Sequence, residues 1–438
     1  MTRGFGRSVT AAAIAGLLPI AINSAHGAGF ALIEQSASGM GNAFAGAAAV
    51  AEDSSTIFFN PAGMSLLNGK DLAIAGHAII LNAEFSGTAT NPLALGGGAA
   101  TGGSGGDAGG TSFVPNLYFS MPINERWSAG IGINAPFGLI TEYDSDWAGR
   151  FQGIKSEITT LNVNPAVSFK LSDTISIGAG VNYQQMDATL TNAVVLGPAT
   201  EGNTELDADD DTWGWNIGAI FQVTPAARLG IAYRSEMDYE LQGNVTTMLG
   251  GTVIGAASGA ATADVTLPDI LSISGTYQTS DRLQLLADIT RTGWSSLNQV
   301  NVVDPTTGTL RDVLVLDFDN SYRYSIGANY VLNEKWTLKG GLAYDETPVK
   351  SAETRTVRLP DNNRTWISIG GQLKAGGGSR WDFGYTHIFI EDADINNTRS
   401  QQVPGLTVPT PAPGTASTVS GGYTGSVDIF SVQYSVMF

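Results

Sequence analysis

Residues 430–438 read Phe-Ser-Val-Gln-Tyr-Ser-Val-Met-Phe. In an extended chain Phe430, Val432, Tyr434, Val436 and Phe438 fall on one side and Ser431, Gln433 and Ser435 on the other, because successive strand side chains point to opposite faces. The same period recurs at Ile175, Ile177, Ala179, Val181 and Tyr183, at Trp213, Trp215, Ile217, Ala219, Phe221 and Val223, and from Tyr322 through Tyr324, Ile326, Ala328 and Tyr330 to Leu332. Gly, Ser, Asn and Gln occupy much of the opposite face. Alternation alone fits a soluble sandwich as well as a membrane wall.

Spacing separates the two. About fourteen such segments follow residue 70, at roughly 70–85, 113–121, 127–134, 157–171, 175–190, 211–224, 227–245, 262–279, 282–300, 313–333, 335–349, 364–375, 379–396 and 421–438. Several exceed the ordinary strand of about five or six residues. Tight connections fall at Pro122 to Arg126, Ser172 to Thr174, Pro225 to Ala226, Ser280 to Asp281, Asn333 to Glu334 and Gly376 to Gly378. Long ones fall at 86–112, 135–156, 191–210, 246–261, 301–312, 350–363 and 397–420. The two kinds alternate throughout. An even strand count with short turns at one end and long loops at the other describes an all-β transmembrane barrel of the bacterial outer membrane. Both barrel ends then face the periplasm, and Trp127, Trp336 and Trp381, each beside a short turn, form an interfacial girdle there. A closed ring also spares the backbone an unpaired edge in hydrocarbon.

Composition agrees. Of 438 residues only 14% are charged, against roughly 25% in soluble domains, and 55 are Gly. The formal charge of -18, from 22 basic and 40 acidic residues, argues against nucleic acid, which requires a basic surface. The absence of Cys excludes disulfides, thiolate catalysis and Cys-ligated metals. Arg3 and Arg7, an apolar run from Val9 to Ile22, and Ala25-His26-Gly27 read as a signal peptide over 1–27, cleaved before Ala28. Residues 28–69 break the strand period and are rich in Ala, Gly and Ser. They are expected to be a hatch of short helices plugging the lumen, ahead of a barrel over 70–438, because fourteen strands enclose more space than wall side chains fill.

No phosphate loop, G-x-S-x-G elbow or H-E-x-x-H helix is present, so no cofactor, metal or catalytic residue is assigned. His77 and His387 are the histidines beyond residue 27; a hydrolase reading requires a Ser or Asn beside one of them. An adhesin barrel requires no pocket at all. The run Glu205, Asp207, Asp209, Asp210, Asp211 lacks the Gly and closing Glu of an EF-hand and reads as a solvated loop, with divalent bridging to lipopolysaccharide as the sharper alternative. Gly96 to Gly110 reads as a flexible loop. Asn60-Pro61-Ala62 is by default a turn, and Pro136-Phe137-Gly138 a strand terminator that in a barrel could open a side window. Arg234, Arg323 and Lys339 sit on the polar parity of their strands and are expected to point into the lumen, either toward a ligand or in ion pairs.

These residues resemble a known family. Ala28-Gly29-Phe30 with Leu32, Glu34, Ser36, Ser38, Gly39, Gly41 and Ala43 is similar to the N-terminus of the FadL/TodX family of outer-membrane transporters for long-chain fatty acids and other hydrophobic compounds. Asn60-Pro61-Ala62, Phe137-Gly138-Leu139 with Thr141-Glu142, Pro348-Val349, Arg355, Pro360-Asp361, Arg364, Trp366 and the closing strand continue the likeness. The resemblance implies a fourteen-stranded barrel with an N-terminal hatch. It implies a lumen pocket for a hydrophobic small molecule, with Phe30 reaching into it, and a lateral opening at a kink over Phe137, Gly138 and Leu139 against which Asn60, Pro61 and Ala62 lie. Long-chain fatty acids are the expected cargo, and neutral aromatic or aliphatic hydrocarbons the alternative. The basic residues that meet a carboxylate in that family align near Gln185 or Asp187 and Asp319, a departure that favours the alternative. A monomer surrounded by lipid and lipopolysaccharide is expected.

Overall fold

The computed structural model describes residues 28–438; the expected signal peptide lies outside them. Fourteen antiparallel staves form one closed barrel. They are β1 (Asp71–Ala89), β2 (Gly110–Pro122), β3 in two pieces (Trp127–Asn134 and Gly138–Glu142), β4 (Lys155–Lys170), β5 (Ile175–Gly197), β6 (Thr200–Thr224) and β7 (Ala227–Arg234 and Met237–Leu249). There follow β8 (Gly259–Leu267 and Ile270–Ser280), β9 (Leu283–Thr292 and Gln299–Val303), β10 (Leu310–Val315 and Ser321–Val331), β11 (Trp336–Asp345), β12 (Arg364–Gly376), β13 (Ser379–Ile390 and Ala393–Arg399) and β14 (Ser417–Met437). Pairing of β1 with β14, from Asp71↔Met437 to Ala89↔Val419, closes the ring.

The polarity of the wall is inverted relative to a soluble sheet. Ile326 is 62% exposed and Trp213 65%, whereas Asn182 is fully buried and Gln433 1% exposed. The apolar parity therefore faces outward to lipid, and the polar parity lines the interior. Inside, buried amides bond to one another: Asn162 donates to Asn134 at 3.1 Å and Asn182 at 3.2 Å, and Asn164 and Asn182 donate to Asn216 at 3.0 and 3.2 Å. Unpaired, each would carry a desolvation cost of about 1–3 kcal/mol. Trp127, Trp336 and Trp381 are all exposed beside short turns.

One connection departs from expectation. Residues 191–210 are not a long loop: β5 and β6 continue to Gly197 and Thr200 and pair along their whole length. The acidic run thus lies on β6, with Asp207, Asp209 and Asp211 exposed on the outward parity beyond Trp213 and Trp215. The alternation simply continues past the apolar band, with Asp replacing aromatic residues where water replaces lipid.

Residues 28–69 occupy the lumen as single helical turns: α1 (Ala37–Met40), α2 (Ala47–Val50), α3 (Thr56–Phe59) and a 3-10 turn at Pro61–Leu66. Ser36 Oγ caps α1, and Asn60 Oδ1 caps the 3-10 turn, with Pro61 in its first position. The hatch packs directly on wall glycines. A Cβ at Gly178 would sit 2.3 Å from Ala62 N, and one at Gly341 2.2 Å from the Asn42 carbonyl carbon.

Candidate functional site

The wall has a breach between β2 and β3. The two staves pair only from Leu117↔Ile133 to Pro122↔Ser128, and the upper piece of β3 pairs with β4 alone. Pro136 has no N–H to give to a ladder, and the chain leaves the sheet around it. The Thr160 hydroxyl on β4 stands in for the lost bonds, accepting from Phe137 N at 3.0 Å and donating to Phe137 O at 2.6 Å. Phe137 and Leu139 both point inward and are buried.

The N-terminal segment fills this breach. Ala31 bridges Phe137, Leu32 N donates to Pro136 O at 2.8 Å, and Gly138 N donates to Phe30 O at 2.9 Å. Gln35 Nε2 donates to Ala135 O at 2.9 Å, and Asn116 on β2 donates to Glu34 O at 3.0 Å. Residues 30–35 therefore act as a short surrogate strand. The Glu34 carboxyl is fully buried with no hydrogen-bond partner for either oxygen. Burial pushes its pKa up from 4.5 to about 7, against the pull of Arg323 and Arg364.

Phe30 packs 4.8 Å from the ring of Trp294 and 6.1 Å from that of Phe137. Trp294 belongs to a 3-10 turn, Trp294–Ser296, that interrupts β9 and folds inward, where Phe318 also meets it. Sequence reasoning missed Trp294. Its signal was the break in alternation at Gly293-Trp294-Ser295-Ser296.

Beside this aromatic cluster lies a lumen pocket of about 90 Å³. Ala31, Ala47, Phe58, Phe59, Ala232 and Ile270 contribute apolar surface, and Arg234, Arg323, Asp288 and Asp345 contribute charge. Arg234 stacks 4.4 Å over the Phe58 ring and donates to Asn182 Oδ1 and Phe58 O. Arg323 lies 4.9 Å over Trp366 and donates to Ala43 O at 2.6 Å, while its Nε and Nη1 find no partner. The charged side chains of the lining are thus two cations and two carboxylates. A second cavity, about 610 Å³, lies among the long loops.

Of the expected ligand residues, Arg234 and Arg323 line the pocket and Phe30 packs in the aromatic cluster beside it. Lys339 does not. It is a hatch anchor, 2.7 Å from Glu52 Oε2 and 3.5 Å from Asp382 Oδ1, and it donates to Ser38 O at 2.8 Å. Asn60, Pro61 and Ala62 do not lie against Phe137, Gly138 and Leu139. The Asn60 amide donates to Ala219 O and Ile231 O on β6 and β7, and Pro61 and Ala62 press on Gly178 of β5. Gln185 and Asp187 are on the outward parity of β5, and the Asp319 side chain is 70% exposed beside Lys350. None of these three faces the lumen, so they carry no information about cargo charge.

His77 does have a serine neighbour, with Nδ1 2.7 Å from Ser431 Oγ. Neither lines a described cavity, and no carboxylate orients the imidazole, whose Nε2 is buried without a partner. The pair is a cross-strand contact in the wall. His387 pairs with Asp428 at 2.8 Å.

A family model described as outer membrane protein transport protein (OMPP1/FadL/TodX) matches residues 19–438. Outer membrane protein P1 of Haemophilus influenzae is 31% identical over 423 residues, covering 87% of this chain and 91% of that protein. The long-chain fatty acid transport protein of Escherichia coli K12 is 26% identical, covering 88% and 93%. Among solved structures, a Pseudomonas aeruginosa FadL homologue superposes with a TM-score of 0.86 at 23% identity, over 94% of this chain and all of that one. The Ralstonia pickettii toluene transporter TbuX gives 0.67 at 19% identity, over 93% and 100%. At such identities the structures speak for the fold alone.

Proposed function

Since the chain belongs to the OMPP1/FadL/TodX family of outer-membrane transport proteins, and is accordingly a passive transporter of hydrophobic small molecules rather than an enzyme, we propose that its lumen cargo is a neutral hydrocarbon of about one ring. It enters from the long-loop side, rests in the lumen pocket beside Phe30, and leaves sideways through the breach at Phe137, Gly138 and Leu139 when residues 30–35 withdraw. The observation that carries this reading is the pocket itself, small, largely apolar and balanced in side-chain charge, next to a gap filled by the N-terminal segment. A cavity of roughly 150 Å³ holds benzene, so 90 Å³ is nearer to one ring than to an extended alkyl chain. Two lumen acids stand beside the two arginines, so the lining side chains balance in charge.

A route out of water is the physical need. Each methylene exposed to water costs about 0.8 kcal/mol, so a hydrated channel is a poor path for such cargo. TbuX, named a toluene transporter, shares this barrel. A second reading, uptake of long-chain fatty acids, is favoured by the larger outer cavity and by the name of the Escherichia coli relative. Uptake of labelled toluene and oleate by cells with and without the gene tests both. Gene-dependent toluene uptake is expected; gene-dependent oleate uptake alone would transfer the assignment to the second reading, and dependence of neither would end both.

A further inference from the structure

One ionisable pair lies on the lipid side of the wall. His387 on β13 and Asp428 on β14 are register partners on the outward parity, their side chains 28% and 36% exposed. Four apolar residues of the same face surround them. Phe430 lies two residues below Asp428 and Phe389 two above His387, while Ile80 of β1 pairs with Asp428 and Ile367 of β12 with His387. All four are exposed. The pair therefore sits within the apolar band, where an ionisable group is expensive and marks a functional surface by default.

Each group is only half satisfied by its own chain. Asp428 Oδ1 accepts from His387 Nδ1 at 2.8 Å and from the Tyr385 hydroxyl at 2.7 Å. Asp428 Oδ2 and His387 Nε2 have no hydrogen-bond partner among the described residues. With Nδ1 already donating, the imidazolium has one N–H left to give, and the carboxylate has one oxygen left to accept. The two stand side by side at one height on neighbouring staves. A second copy turned half a revolution about the membrane normal sets its acceptor opposite the first copy's donor and its donor opposite the first copy's acceptor, because such an axis exchanges left and right but keeps height. Two imidazoliums and two carboxylates then close a neutral ring.

We propose that the outer face of β13 and β14 is the interface of a homodimer, held by reciprocal hydrogen bonds from His387 Nε2 of each copy to Asp428 Oδ2 of the other. The rest of the face is aromatic, as interface cores tend to be: Trp381 packs 5.0 Å from Tyr434 and Tyr385 5.0 Å from Phe430, with Phe383 and Phe389 exposed beside them. A closed wall needs no neighbour for its backbone; here the side chains need one. Three staves, about 15 Å along the wall, separate this seam from the breach between β2 and β3, so pairing leaves the breach facing lipid. The inference does not depend on the cargo. The competing occupant is the polar part of an outer-leaflet lipid, which would take the same donor and acceptor.

Because the chain lacks Cys, Glu334→Cys in an exposed short turn takes a single dye. Energy transfer between donor- and acceptor-labelled full chains in phosphatidylcholine vesicles, followed as the protein is diluted in lipid, reads association. Saturable transfer that fits a dimer is expected without lipopolysaccharide. Asp428→Asn should weaken association about tenfold, since each such bond in a membrane is worth about threefold and a dimer loses two. His387→Asp, which gathers four carboxylates, should weaken it further. The exchange of both, His387→Asp with Asp428→His, should restore association, because the same axis makes the swapped pair complementary again. Circular dichroism should report an intact barrel in every variant, as both side chains point away from the lumen. Transfer at the level of random proximity at every dilution would overturn the proposal, and so would a dimer indifferent to Asp428→Asn and His387→Asp. A monomer that retains lipopolysaccharide through purification and loses it in Asp428→Asn would overturn it in favour of the lipid.

Discussion

Replacing Phe30 by Ala removes the ring that seats the N-terminal segment in the breach. Phe30 is 4% exposed and packed against Trp294 and Phe137, and truncating such a side chain typically costs about 3–5 kcal/mol. The cost falls on a local opening, because residues 30–35 meet β2 and β3 mainly through a few backbone bonds, while the rest of the hatch has its own anchors. About 3 kcal/mol corresponds to roughly a hundredfold rise in the withdrawn population. Two amides report it directly: Leu32 N–H, bonded to Pro136 O, and Gly138 N–H, bonded to Phe30 O. Their hydrogen-exchange protection should fall about a hundredfold in Phe30→Ala, while the paired amides of β11 and β12 stay as protected as before. Because the chain has no Cys, Ala31→Cys offers an independent probe, and it should become labelled by a thiol reagent far faster in the Phe30→Ala background. If the Gly138 amide kept its protection, or if all barrel amides lost theirs together, the idea of a separately releasable segment would be wrong.

Glu34 makes the same contact pH-dependent. The docked segment holds its carboxyl proton up to about pH 7, against an ordinary value of 4.5, so docking is strongest below about pH 4.5. It weakens by about 3 kcal/mol as pH rises to 7 and is level above that. Glu34→Gln should abolish the slope, measured as Leu32 exchange corrected for intrinsic rate between pH 5 and 8. Gly178→Val places side-chain atoms where Ala62 N now sits, and overpacking of about 1–3 kcal/mol or more should expose residues 60–69 to protease while the barrel stays intact. Lys339→Met leaves Asp382, whose side chain is fully buried, beside Glu52 with Arg380 at 3.5 Å as its remaining cation. The hatch should lose about 3–5 kcal/mol, seen by denaturant titration, yet toluene affinity should not change because Lys339 is not at the pocket.

The barrel was legible because its strands repeat one physical rule fourteen times, and a closed membrane wall needs little else. Parity also placed Arg234 and Arg323 correctly inside. It placed Lys339 inside as well, but could not name what it meets there, because the residue that claims it, Glu52, is 287 positions away and on a segment without period. Asn60 was misplaced for a similar reason. Its amide answers to carbonyls of β6 and β7, a contact set by how the hatch tilts in the lumen, which local pattern does not encode. The β5–β6 hairpin was cut short in the sequence reading because Asp207, Asp209 and Asp211 look like loop residues. Their alternation was intact; only their polarity had changed, as it should above the lipid.

The hatch is held in two different ways, and the difference bears on where cargo can leave. Toward the short turns its anchors are ionic and buried: Arg380 with Asp53 at 3.0 Å, Lys339 with Glu52, and Asp71 accepting from Ser54 N at 2.7 Å. Arg228 adds two bonds to the carbonyls of Ala49 and Val50. Breaking any one by exposing it to hydrocarbon would leave a desolvated charge, about 3–5 kcal/mol each time, and an apolar cargo has nothing to put in its place. Residues 30–35 are held instead by aromatic packing and by backbone bonds to β2 and β3. A ring entering beside Trp294 and Phe137 can substitute for Phe30 contact for contact, so displacement there is an exchange of like for like, whereas movement toward the periplasm is a net loss. A hydrocarbon therefore has an inexpensive path through the wall and an expensive one through the floor, and the bilayer, not the periplasm, is where it is expected to emerge.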